Sequence, residues 1–153
     1  MDPAPAQSAL TESLTRLETA LLTPVASGEL GSWAQACRTA IDAVARDFPT
    51  YLHDVLHRQY AEIARTDAEL LRRVQQMVAE DESLVADLAA FHRRLVAFAE
   101  AATLITKHES KVDDQRTNLE REGIDLIVRI RKQRAAADLW LTEAVYRDRG
   151  AVD

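Results

Sequence analysis

Alternating steps of four and three from Leu70 land on Val74, Met77, Asp81, Leu84, Leu88, Phe91, Leu95, Phe98, Ala102 and Ile105, and ten of these eleven positions are apolar. Only a helix gathers that spacing onto one face, so the stripe predicts a long amphipathic helix over 66–106 that buries one side against other helices. Thr66 followed by Glu69 forms a capping box that opens it. Asp81 is the one carboxylate on the stripe. A second stripe, Leu119, Gly123, Leu126, Ile130, Gln133, Ala137, Trp140 and Ala144, predicts a last helix over 118–147, with Gln133 its large polar intruder. The polar stretch 107–117 between them contains the turn.

The first half carries shorter versions of the same pattern. Leu10, Leu14, Leu17 and Leu21 give a helix that Ser8 or Thr11 caps and that ends near Leu22, followed by a loop punctuated by Pro24, Gly28 and Gly31. Ser32 is the expected N-cap of a second helix turning Trp33, Cys37, Ala40, Ile41, Val44, Phe48, Tyr51, Leu52 and Val55 inward. Pro49 removes a backbone donor and disfavours helical geometry at Phe48. Either a kink or a break follows, with a second piece over 50–63, and the unbroken apolar phase favours the kink. Residues 1–7, with Pro3 and Pro5, have nothing to bury and are expected to be a disordered lead-in. The expected fold is therefore all-α, an antiparallel up-down four-helix bundle in a single domain over 8–150.

Composition agrees with this pattern. The 153 residues are 47% hydrophobic with only four Gly and four Pro, too few turn formers for a sheet-based fold of this length. A formal charge of −6 argues against a general nucleic-acid binder, because neutralising phosphates takes an excess of Lys and Arg. No apolar run approaches the ~20 residues that cross a bilayer. The single cysteine, Cys37, has no internal partner and lies on an apolar helix face, as a small buried hydrophobe would. A cytoplasmic protein that engages neither membrane nor nucleic acid is expected.

Chemistry has few footholds. If the last two long helices turn near residue 107, Asp81 faces Gln133; if they turn nearer 112, His92 does. Both arrangements give a core polar network drawn from Asp81, His92 and Gln133 that fixes helix register. His53 and His57, four apart, share a helix face and could grip a metal, whereas His108 and Asp113 fall in the expected turn. Nowhere does Glu-x-x-His occur, the spacing of a ferritin-like carboxylate site. No nucleophile elbow or phosphate-binding glycine loop is present either. The cluster Arg129, Arg131, Lys132 and Arg134 reads as a solvated helix face, and Trp33 and Trp140 as core residues.

The run Ala137, Asp138, Leu139, then Glu143, Ala144, Asp148 and Gly150, resembles the closing segment of the haemerythrin-like bundle proteins of bacteria. The Trp33 helix and the stretch Leu70, Val74, Glu80, Asp81 and Leu84 are similar to the middle of such domains, so the resemblance covers about two thirds of the chain. It implies the four-helix fold. Its di-iron centre would need imidazoles where this chain has Asp81 and Gln133, so it implies a bundle that has lost the metal site, holds no cofactor, and acts by binding a protein, a small ligand or a second copy of itself rather than by catalysis. The alternative is a non-haem iron protein that binds oxygen or senses redox state through the altered set His53, His57, Asp81 and Asp138. A third reading is an adaptor bundle unrelated to that family.

Overall fold

The computed structural model describes residues 4–104 and 110–150. Among these residues every regular element is helical: α1 (Ala4–Leu22), α2 (Leu30–Tyr51), α3 (His57–Thr66), α4 (Leu71–Ala102) and α5 (Ser110–Gly150). A π-helical turn, Leu52–Leu56, joins α2 to α3, so the chain runs as one rod from Leu30 to Thr66. The described residues thus form four helical rods.

α1 begins ahead of Ser8, so residues from Ala4 onward are helical rather than part of a lead-in. Pro5 sits in the first turn, where its missing N–H would have had no partner in any case. Between α1 and α2, Gly28 takes φ +81°, a left-handed value that side chains with a Cβ rarely adopt. Ser32 does not cap α2. The helix starts earlier, at Leu30, with the Trp33 N–H bonded to the Glu29 carbonyl, and Gly31 lies inside it. The Trp33 indole donates to the Leu21 carbonyl at 3.4 Å and meets Phe98 edge-on, with centroids 6.1 Å apart.

Pro49 neither breaks the rod nor ends it. It lies on the exposed side of α2, and the helix continues through the π turn beyond it. At the next junction Asp67, not Thr66, supplies the cap: its carboxylate accepts from the Glu69 N–H at 3.0 Å and holds the 3-10 turn Ala68–Leu70 that leads into α4. Thr66 instead closes α3, its hydroxyl turned back to Glu62. Much of the stretch expected to be a turn is helical, because α5 starts at Ser110. Ile105 and His108 lie outside the described residues.

One core fills the space between the rods. The α4 stripe from Leu70 to Ala102 is buried along its length, and Leu119, Leu126, Ile127, Ile130, Ala137 and Ala144 of α5 face it. Ion pairs line the seams. On α4 and the turn before it, Asp67, Glu69, Asp87 and Arg94 meet Arg147, Arg147, Arg129 and Glu122 of α5 respectively, so partners descend α5 as α4 ascends. Asp42 and Arg38 of α2 likewise meet His92 and Glu100 of α4. Glu18 of α1 pairs with Arg131 of α5.

Gly123 marks the closest approach. A Cβ there would come within 2.5 Å of Leu21 Cδ1 and 2.9 Å of Phe91 Cζ, and both of those side chains are fully buried. Gly123→Ala is therefore expected to lower stability although alanine is the better helix former. Overpacking costs roughly 1 to 3 kcal/mol against about 1 kcal/mol gained in helix propensity. A urea melt checks this, and a raised midpoint would show that Leu21 and Phe91 can give way.

Candidate functional site

The two polar intruders of the seams do meet, through a third residue. Asp81 and Gln133 are both buried, and Tyr60 of α3 lies between them. The Tyr60 hydroxyl donates to Asp81 Oδ2 at 2.6 Å. Gln133 Nε2 donates to the Met77 carbonyl at 2.8 Å and approaches the Tyr60 hydroxyl at 3.4 Å. Asp81 Oδ1 is buried and has no hydrogen-bond partner.

Tyr60 is the member that sequence spacing passes over, and the π turn is the reason it is there. Continued at 3.6 residues per turn, the stripe Phe48, Tyr51 and Val55 would next bring Gln59 and Glu62 inward. A π turn takes up one extra residue, so Tyr60 and Ile63 are buried instead. Gln59 moves to the flank, where its Nε2 donates to Asp138 of α5 at 3.0 Å while its own oxygen stays buried and unpartnered.

His92 does not belong to this cluster. Its Nε2 lies 2.6 Å from Asp42 Oδ1 on the α2 side, half-exposed, because its angular position on α4 is off the seam that carries Asp81. The residues of the alternative iron set stay apart. His53 is exposed and paired with its neighbour Asp54, His57 is exposed with its ring edge-on to His53, and Asp138 is exposed and held by Gln59. Among the described residues no three His, Cys, Asp or Glu side chains are grouped so that they could hold a metal ion. Among the described residues the donors do not fit a di-iron centre: the one buried carboxylate, Asp81, faces a phenol and an amide, while His53 and His57 are exposed and His92 is paired with Asp42.

The expected solvated face of α5 is in part a set of bridges. Arg129 and Arg131 reach α4 and α1, and Arg134 lies over the Tyr51 ring at 5.1 Å. Trp33 is core, whereas Trp140 is only partly buried, beneath Arg73. Cys37 is fully buried, and that burial, with Glu120 nearby, pushes its thiol up to about 12, far from a reactive thiolate.

Electrostatically the centre is a carboxyl held against its preference. Burial pushes the Asp81 pKa up, and the donors of Tyr60 and Gln133 and the charge of His57 pull it only part of the way back. Burial likewise raises Tyr60, and the Asp81 carboxylate adds to the effect, so the phenol stays protonated and works as a donor. Nothing here forms a nucleophile with a base. The arrangement can order three helices and hold a proton. No family model, curated protein or solved structure matches the chain.

Two outcomes follow from this geometry. A carboxyl whose folded-state pKa is raised supplies stability that is complete below the ordinary carboxylate range and is lost as pH rises through the folded value. Wild-type stability should therefore fall relative to Asp81→Asn as pH rises above the ordinary carboxylate range. Paired urea melts across that rise check it, and a difference that grows the other way refutes it. Tyr60→Phe removes the one donor to Asp81 Oδ2 and should cost about 1 to 3 kcal/mol at neutral pH, less once Asp81 is also changed to Leu.

Proposed function

We propose that this chain is an antiparallel up-down four-helix bundle of the cytoplasm that works by binding and not by catalysis, its interior organised by the Tyr60, Asp81 and Gln133 cluster where a metal-holding bundle would place imidazoles. Supporting the topology are the seam contacts, whose partners run in opposite directions along α4 and α5 and along α2 and α4. The cytoplasmic reading draws on the lone, buried, unreactive Cys37 and on the want of any described helix long and apolar enough to cross a membrane. As part of the same proposal, the bundle is a haemerythrin-like domain whose ligand positions have been given over to core polar residues.

The observation that carries the reading is the way Asp81 and Gln133 are occupied. A residue kept for a ligand leaves its donor atoms converging on an open point, but here Gln133 spends its amide on the Met77 carbonyl and Asp81 accepts from Tyr60. Such a cluster sets helix register, since any axial slip would bury three polar groups without partners.

Metal analysis of protein made in iron-rich medium and purified without chelator tests the proposal. Iron is expected far below one atom per chain, with no change in His53→Ala or Asp138→Ala. Near-stoichiometric iron that either substitution removes would overturn it.

A further inference from the structure

α5 carries a second seam on the side away from the core. Val128, Lys132, Ala135, Leu139, Thr142 and Tyr146 recur at four, three, four, three and four, the spacing that keeps one helix in register with another. All six are exposed, Val128 by 42%, Leu139 by 63% and Tyr146 by 70%, and nothing among the described residues packs on them as the core packs on Ile130 or Ala137. A 41-residue helix thus has two usable faces, of which the fold covers one.

We propose that the uncovered face is a homodimer interface at which α5 packs antiparallel against α5 of a second copy, about a twofold axis opposite Ala137. The stripe is self-complementary about that point and no other partner is needed to explain it. Val128 falls opposite Tyr146 of the second copy, Ala135 opposite Leu139, and Lys132 opposite Thr142, so each large side chain meets a smaller one. The charges match as well. Lys132, exposed on the stripe, comes beside Glu143 of the second copy. A parallel pairing would instead set Lys132 against Lys132 and Leu139 against Leu139. The paired stretch is about 27 Å long at 1.5 Å per residue. This deepens the binding reading by naming its partner, and it does not depend on the polar cluster, so the iron test and this one fail separately.

Sedimentation of the full chain over a concentration series tests the proposal. A reversible monomer–dimer equilibrium is expected, and Leu139→Lys should weaken it by at least about tenfold without changing the thermal melt, since that side chain lies outside the core. Ala135→Glu, on the same stripe, gives an independent reading if Leu139→Lys disturbs folding. Lys132→Glu should weaken the dimer and Lys132→Glu with Glu143→Lys should restore it. Orientation is read by cysteine cross-linking: Ala135→Cys protein mixed with Leu139→Cys protein should form the heterotypic disulfide faster than either forms its own. A monomer at every concentration, a dimer indifferent to both stripe substitutions, or preferred homotypic cross-links would overturn it.

Discussion

Among the described residues the interior must accommodate one carboxylate, Asp81, and the helices around it are placed to do so. A charged group inside an apolar seam is tolerable only when donors reach it, and Asp81 obtains one from Tyr60 on a different rod. Gln133, on a third rod, is tied to the backbone of the Asp81 helix at Met77 and stands beside the same hydroxyl. Three rods are thereby held at one height. Leucine packing alone would tolerate axial slip far better, because one apolar contact replaces another at little cost. Asp81 Oδ1 remains unpartnered, so the cluster specifies position at the expense of stability.

That arrangement depends on an irregularity some distance along the chain. Had α2 continued as a regular α-helix, Tyr60 would have turned out of the core and Gln59 into it. The π turn Leu52–Leu56 shifts the phase by one residue, and so converts a flanking tyrosine into the donor that Asp81 requires. Pro49 precedes this turn on the exposed side, where its lost donor and its ring are easiest to accommodate. The exposed His53 and His57 lie on and just after the same turn, on its outer surface, and belong to the solvent side of the rod.

α5 joins the two halves of the functional reading. Its inner face contributes Gln133 to the centre and Gly123 to the closest contact, where a Cβ would press on Leu21 and Phe91. Its arginines bridge outward to α1 and α4. On its far side it repeats the four-and-three spacing with exposed residues, of which Val128, Leu139 and Tyr146 are large and apolar. A helix so patterned on both sides is suited to organising its own domain and meeting another.

The amino-acid sequence by itself determined that the chain is helical, which faces of the α4 and α5 segments are buried, and that Asp81 and Gln133 lie inside. These follow from periodicity, a local property: the 3.6-residue repeat decides which side chains share a face whatever the partner turns out to be. Helix starts were less legible: α2 begins after Glu29, which makes no side-chain cap, instead of at Ser32, and Asp67 caps where Thr66 was expected to, because neighbouring turns compete for one end on small energy differences. Only the tertiary structure decided that Tyr60 completes the cluster, that His92 turns to Asp42, and that the histidines of the iron reading stay outside. The reason is physical: a π turn changes the count between faces by one residue, and the 3.6-residue period by which faces are read does not mark where that extra residue is taken up.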